Sequence, residues 1–418
     1  MSRLVMKFGG TSVGDVDRIA RVARIVAAQR KPGRGIAVVV SAMSGETDRL
    51  VALARGAAGG GNAALGGPDF DDEYDVVVSS GEQVTTGLLA LALRRLGIPA
   101  RSWQNWQIPI ISDAAHAKAR MSDIPTDQLG PSIDSGVVAV IPGFQGITEG
   151  KRITTLGRGG SDTSAVGVAA ALGAECCDIY TDVDGVYSAD PRIVQKARRL
   201  DKISYEEMLE MASLGAKVLQ TRSVELAFAK RVPVRVLSSF VEPGEPNAGT
   251  IVCSEDEIVE RQVVSGVAYS RDEAKVTLFG LSSEIGETAE VFARLADANI
   301  NVDMIVQTEA RQAGRSNLIF TCPDRDATRA AELIESSRGK IHVEDIQIRR
   351  DVAKVSVIGI GMKSQTGVAK AMFAALAQKG VSIEAIATSE IKISVLIDSA
   401  YTELAVRALH TAYGLDAS

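Results

Sequence analysis

Thr154-Thr155-Leu156-Gly157-Arg158-Gly159-Gly160-Ser161-Asp162-Thr163-Ser164 decides how the rest of the chain is read. It follows an apolar run, Val137 to Ile141, and opens an alanine-rich helical run, Ala165 to Leu172. Three glycines within four residues let backbone N–H groups come close to an anion, because no Cβ intervenes. Ser161-Asp162-Thr163 is composed to cap the next helix, whose N-terminus favours phosphate or carboxylate. Arg158 adds a planar fork that grips a carboxylate at two points. Strand, glycine turn and helix in this order predict an α/β sheet that holds a small anion.

The N-terminus repeats the device. Leu4 to Phe8 reads as a strand running into Gly9-Gly10-Thr11-Ser12, followed by apolar positions at helical spacing, Val16, Ile19, Val22, Ala23 and Val26. Lys7 falls at the strand's carboxyl end, where α/β sheets place ligands. The spacing is not that of a Walker loop. Gly35 to Ser41 is continuously apolar, as expected of a strand buried on both faces. It ends in the small, polar run Ser41 to Asp48, and a helix follows from about Arg49. Gly56 to Asp72 reads as a surface loop and Val76 to Val78 has strand composition. Gln83 to Leu96 reads as a helix, and Ile98–Ser102 and Ile108–Ile111 as strands. Trp103 and Trp106 are expected as wall or core residues. Asp178–Thr181 is expected to be a strand, Tyr205–Leu219 a helix, and Val232–Val236 the closing strand.

At 418 residues the chain is long enough for two or three domains. Forty-six basic against 52 acidic residues give a net charge of −6, so no basic footprint for nucleic acid exists and an anionic ligand needs a local positive site. Cys176, Cys177, Cys253 and Cys322 lack metal-ligand spacing and suggest packing. Only His116, His342 and His410 are present, scattered, which disfavours a histidine relay. No apolar span of membrane length and no leader is read, so the expectation is a soluble cytoplasmic protein with no membrane partner.

Glu242-Pro243-Gly244-Glu245-Pro246-Asn247 marks a boundary. Beyond it lies an internal repeat. Lys275-Val276-Thr277-Leu278-Phe279-Gly280 corresponds to Lys354-Val355-Ser356-Val357-Ile358-Gly359. Gly286, Phe292, Ile300 and Asp303 correspond in turn to Gly367, Phe373, Val381 and Glu384. Each copy reads as strand, glycine loop, helix and strand. The expected organisation is a catalytic domain over 1–250 and two modules over 263–345 and 346–418.

The two glycine turns, taken with Ser41-Ala42-Met43-Ser44, Ser80-Gly81-Glu82, Thr181-Asp182-Val183-Asp184-Gly185-Val186-Tyr187 and Asp190-Pro191-Arg192, resemble aspartate kinase over essentially the whole chain. The resemblance implies a three-layer αβα amino-acid-kinase domain with a mostly parallel sheet. The C-terminal copies resemble ACT modules, small ferredoxin-like α+β units that bind amino acids. For Val76 to Val78 the family's pattern suggests a helix, and the two readings stay open. The implied reaction transfers the γ-phosphoryl group of ATP to the side-chain carboxylate of L-aspartate, giving 4-phospho-L-aspartate. An ionised carboxylate needs no strong base; the task is to bring two anions together and neutralise the transferred charge.

On the phosphate side the candidates are Lys7, the amides of Gly9 and Gly10, and Lys217. The resemblance adds Phe8, Ser41, Thr181, Asp182, Tyr187 and Arg192 around the nucleotide. It assigns Arg158 to the aspartate carboxylates, Glu82 to the α-ammonium, and Thr47, Gly159, Gly160 and Ser161 to further contacts. Asp162 would orient Lys7. Magnesium is expected on nucleotide oxygens and water, with no protein ligand named. Lysine and threonine are the implied effectors. Their candidate contacts are Ser283, Gly286, Thr288, Asn301, Val302, Asp303 and Gln307 in the first module, and Ser382, Ile383, Thr388 and Ser389 in the second. A homo-oligomer, a dimer or dimer of dimers through these modules, is expected. Rival readings are another kinase of the same fold and a non-catalytic amino-acid sensor; the second would be favoured by loss of Lys7, Glu82, Arg158 or Asp162, and all four are present.

Overall fold

β1 (Ser2–Phe8) and β2 (Arg34–Val40) pair in parallel, Lys7 opposite Val39, at the centre of an eight-stranded sheet. The computed structural model describes residues 1–59, 71–215, 218–243, 245–258, 262–282, 285–310, 312 and 314–416. Two compact units emerge, Met1–Val186 with Arg199–Glu260, and Tyr187–Arg198 with Arg261–Ser418.

In the first unit the sheet runs Lys202–Ser204, Thr250–Cys253, Val234–Ser238, Cys176–Thr181, β1, β2, Val138–Pro142, Ala100–Ser102. Every neighbouring pair is parallel except Val234–Ser238 with Thr250–Cys253. The unbroken apolar runs have their cause here. Leu4, Val5, Met6 and Phe8 are buried on both faces, as are Val38, Val39 and Val40. Each such side chain contributes about 1.5–3 kcal/mol by leaving water. Phe8 stacks on Tyr180 with ring centroids 4.6 Å apart, locking β1 to its neighbour. α1 (Val16–Gln29) starts where Asp15 accepts the Arg18 N–H at 2.8 Å, and buries Ile19, Val22, Ala23, Ile25 and Val26.

α2 (Glu46–Ala57) follows the loop after β2, and α3 (Asp71–Arg95) is the longest helix described. Val76 to Val78 is therefore helical, and the helix begins well before Gln83. By length and composition α3 could cross a membrane, contrary to the sequence expectation, yet half of its apolar window is buried in the protein, and Asp75 and Glu82 lie on its buried face. Most of the loop read over Gly56–Asp72 lies outside the described residues. The strand expected over Ile108–Ile111 shrinks to Ile111–Ser112, because Pro109 has no N–H to donate to a ladder. Trp103 is buried, as expected, but Trp106 is 64% exposed and belongs to no core. The helix expected over Tyr205–Leu219 stops at Ser213, ahead of the left-handed Gly215, and a second helix, Thr221–Lys230, has no counterpart among the sequence expectations.

The second unit contains two four-stranded antiparallel sheets. One runs Ile305–Glu309, Arg315–Cys322, Ala274–Ser282, Asp345–Arg349; the other runs Lys392–Asp398 between Ile383–Thr388 and Val352–Ile358, with Gly266–Ser270 outside the last. The two repeats thus exchange edge strands: the segment preceding each copy pairs with the first strand of the other. The unit also takes in Tyr187–Arg198, whose Ala189 and Val194 join the core of Val267, Val355, Val357 and Leu409. Ser188 Oγ lies 2.9 Å from the buried His410 Nε2.

Candidate active site

Lys7, next to last in β1, has its Nζ 2.5 Å from Asp162 Oδ1, both side chains about nine-tenths buried. Such a pair is stable only with close geometry, and removing either partner strands a charge. Gly9 follows, and a Cβ there would stand 3.3 Å from the Lys7 ammonium; a Cβ on Gly10 would stand 3.1 Å from the Ala42 carbonyl oxygen. The glycine turn is thus pressed between Lys7 and the loop after β2. That loop also meets α3: the Ala42 N–H donates to Glu82 Oε1 at 3.0 Å, and Gly81 packs where a Cβ would come within 2.8 Å of the Ala42 side chain. Ala42 is the shared pivot of the Gly9–Gly10 turn and Glu82.

Glu82 is 3% exposed and its Oε2 has no hydrogen-bond partner. Burial pushes its carboxyl up to about 7, with the Ala42 N–H working the other way. An acid so placed, with one oxygen free, is matched to a ligand ammonium.

The third wall is the quoted glycine stretch. Gly157 and Gly159 have φ of +75° and +71°, the left-handed region that suits glycine. Gly159 itself is the N-cap of helix Gly160–Leu172, with no side-chain cap. This corrects the expected cap: Ser161, Asp162 and Thr163 lie inside the first turn, and the Thr163 and Ser164 hydroxyls donate back to the Gly159 and Gly160 carbonyls at 3.1 and 2.8 Å. Gly143 allows the sheet to approach this turn, since a Cβ there would fall 2.9 Å from Ser161 Cα. Arg158 is exposed and makes no ion pair with any described residue. Thr47 lies half-buried in the first turn of α2.

Among the remaining candidates, Thr181 Oγ1 donates to the exposed Asp182 at 3.1 Å, and Ser41 N–H bonds the Phe8 carbonyl at 3.1 Å. Tyr187 and Arg192 fall in the second compact unit, where Arg192 pairs with Asp190 at 2.8 Å. Lys217 and Ser283 lie outside the described residues. Of the other effector candidates, Gly286 and Thr288 are in the first turn of helix Ile285–Asp297, and Gln307 Nε2 donates to Ser316 Oγ at 3.1 Å. Val302 packs on the first repeat's core. Asn301, Ser382, Thr388 and Ser389 are exposed, with Ile383 half-buried. Sequence reading missed that Asp75, His116 and Thr155 meet in space; they are far apart in the chain and carry no motif.

A lysine and a glycine turn at the end of a parallel strand, a second glycine turn opening a buried helix, and a buried carboxylate on α3 are the features of a phosphotransferase of the amino acid kinase class. Residues 2–238 match the amino acid kinase family, and residues 276–337 and 355–413 match the ACT domain. An aspartate kinase of Stutzerimonas stutzeri is 49% identical over all of this chain and 98% of its own length. Aspartokinase 2 of Bacillus subtilis is 43% identical over 99% and 98% respectively. The structure of E. coli aspartokinase III in complex with aspartate and ADP, an R-state, is similar with a TM-score of 0.79 at 30% identity, covering 98% of this chain and 99% of that one. The same enzyme in complex with lysine and aspartate, a T-state, gives 0.76 at 29% identity, covering 98% of each chain. The chain belongs to the aspartate kinases, with an amino-acid-kinase domain and paired ACT modules.

Proposed function

We propose that the Ala42 pivot separates two half-sites and that the reaction runs between them. On one side Lys7, oriented by Asp162, and the amides of Gly9 and Gly10 neutralise the phosphoryl group as it moves. On the other, Glu82 Oε2 receives the α-ammonium and Arg158 grips the carboxylates, with Thr47, Ser161 and the amides of Gly159 and Gly160 adding hydrogen bonds. A side-chain carboxylate oxygen of L-aspartate attacks the γ-phosphorus, the bond to the β,γ-bridging oxygen breaks, and ADP leaves. No proton moves, so the chain's contribution is positioning and charge. Magnesium arrives with ATP as part of that substrate. Phe8, Ser41, Thr181, Asp182 and Lys217 are assigned to the nucleotide. Glu82's free, buried oxygen carries the reading: in its ionised form it is matched by a bound cation.

The similar E. coli enzyme holds aspartate and ADP in one crystal and lysine with aspartate in another, which supports aspartate as acceptor and lysine as an effector here. Threonine is the second effector in this reading. The enzyme works in the cytoplasm as a homo-oligomer joined through its ACT modules. The test is aspartyl hydroxamate formation with magnesium ATP. Arg158→Ala is expected to raise the aspartate KM by one to two orders of magnitude, the loss of a charge-assisted pair of about 1.5–3 kcal/mol, with the ATP KM unchanged. Turnover of N-acetylglutamate or carbamate in place of aspartate would overturn the reading.

A further inference from the structure

Two turns before Glu82, α3 carries a second buried acid that the reaction above does not use. Asp75 is fully buried, and both of its oxygens are occupied. Thr155 Oγ1 donates to Oδ1 at 2.5 Å, the Ala117 N–H reaches both oxygens at 3.2 and 3.0 Å, and His116 Nδ1 stands 2.9 Å from Oδ2. A carboxylate is kept out of water only where donors converge on it. Here they come from two separate segments, the loop over 113–119 and the strand Ile153–Thr155 that runs directly into the Arg158 turn.

The two segments are also tied to each other. Ala119 N–H bonds the Thr155 carbonyl at 2.9 Å. Ala117 has φ +62°, a conformation that a non-glycine residue keeps only where its surroundings fix it. Its carbonyl oxygen lies 3.2 Å from where a Cβ on Gly157 would stand, so the Arg158 turn rests on the loop that Asp75 holds. Seven residues separate Asp75 from Glu82, which places both on one face of α3 about 10 Å apart along its axis.

We propose that Asp75 is a positioning residue for the amino-acid half-site. It ties the Arg158 turn to the helix that carries Glu82, so a single rigid element fixes the span between the carboxylate clamp and the ammonium acceptor. This rests on the reading that Arg158 and Glu82 hold the two ends of aspartate. The nucleotide half-site is built on β1 and the Gly9–Gly10 turn, with Asp162 of the buried helix Gly160–Leu172 on Lys7, and Asp75's hydrogen bonds go to His116, Ala117 and Thr155 instead. Loss of Asp75 therefore weakens aspartate binding and leaves ATP binding alone.

Steady-state kinetics on the full chain, varying aspartate and magnesium ATP separately, with thermal melts, test this on Asp75→Ala, Asp75→Asn, Thr155→Val and Arg158→Ala. Asp75→Ala is expected to raise the aspartate KM roughly tenfold and to keep the ATP KM within about twofold. Asp75→Asn retains an acceptor for the Ala117 N–H and is expected to recover much of that loss. Thr155→Val removes one donor, is expected to cost about threefold, and carries the test if Asp75→Ala does not fold. In an Arg158→Ala background each of these changes adds less than about twofold, because the clamp they position is gone. An aspartate KM within twofold of normal in the folded variants, or aspartate and ATP KM rising together, overturns the proposal. An unchanged aspartate KM in Arg158→Ala overturns instead the reading of the site on which it rests.

Discussion

Lys275, in the first strand of the first ACT repeat, holds Glu384 of the second at 2.5 Å, and Lys354 of the second repeat reciprocally pairs with Asp303 of the first. Lys275 and Lys354 are equivalent positions of the repeat, as are Asp303 and Glu384, so the two bridges are related by its internal symmetry. Lys354 is 5% exposed and also meets Glu273 at 2.7 Å. Burial opposes its charge, but Glu273 and Asp303 outweigh burial and hold its pKa above the ordinary lysine value. Asp303, one of the candidate effector contacts, is therefore already engaged by a lysine, and an effector whose ammonium binds it must compete.

That competition yields a regulatory prediction. Asp303→Ala removes the contested acid while Glu273 keeps Lys354 paired, so the module stays folded. Inhibition by lysine and threonine is expected to fall, with uninhibited kcat within about twofold, since an effector acts only through its differential affinity for two states. The two amino acids together are expected to inhibit the unaltered enzyme more than either alone. Inhibition curves with each effector decide it; unchanged curves in Asp303→Ala would place the effector elsewhere.

Glu82 predicts a pH dependence. Its carboxyl, raised to about 7, must be ionised to receive the ammonium. Between pH 8 and pH 6 the ionised fraction falls about tenfold, so the aspartate KM should rise by about that factor as pH falls. The same shift makes the ligand-free protein less stable as pH rises from the ordinary glutamate range toward 7, because the folded state retains a proton the unfolded chain has lost. Glu82→Gln is expected to flatten the KM profile and raise its value at pH 8.

Lys7 and Asp162 allow stability and chemistry to be separated. Lys7→Met strands a buried carboxylate and should destabilise the protein by about 3 kcal/mol, while kcat falls on the order of a hundredfold. Lys7→Met with Asp162→Asn should restore most of the stability and none of the kcat. Denaturant melts beside kinetics check both; a double variant with normal kcat would remove Lys7 from the reaction.

Much of this was legible because the signals are local. Gly9–Gly10 after β1, Gly157–Gly160 before a helix, and Lys7 at a strand end are all read within a dozen residues. The repeat was equally legible, since Lys275 and Lys354 head matching runs. The exchange of edge strands was not, because Gly266–Ser270 and Asp345–Arg349 contain no mark of which sheet they will join. Asp75 and His116 are 41 residues apart, and only the fold brings them together. The start of α3 was hidden by valines 76 to 78, whose strand propensity yields to the helix that buries Val78 in the core and leaves Val76 exposed.

Two glycine-to-alanine changes, one against the Ser161 turn and one within α3, should act with opposite sign on stability. Gly143 does not have a left-handed backbone, so alanine meets no torsional obstacle there. Its Cβ would nevertheless fall 2.8 Å from Ser161 Cβ and 2.9 Å from Ser161 Cα, and the latter belongs to the first turn of a buried helix that cannot swing aside. Overpacking of that kind costs about 1–3 kcal/mol. The displaced group is the turn that follows Gly159, so the aspartate KM should rise together with the loss of stability. Adding Ser161→Ala removes only the hydroxyl, leaves the clash with the helix backbone in place, and should rescue little. Gly87 sits within α3, where a Cβ would meet nothing within 4 Å. Gly87→Ala should stabilise by about 0.5–1 kcal/mol through helix propensity, with kinetics unchanged. Thermal melts and aspartate KM values for the two variants are the measurement. A harmless Gly143→Ala would mean that the close approach of the sheet to the Ser161 turn is not what sets the half-site.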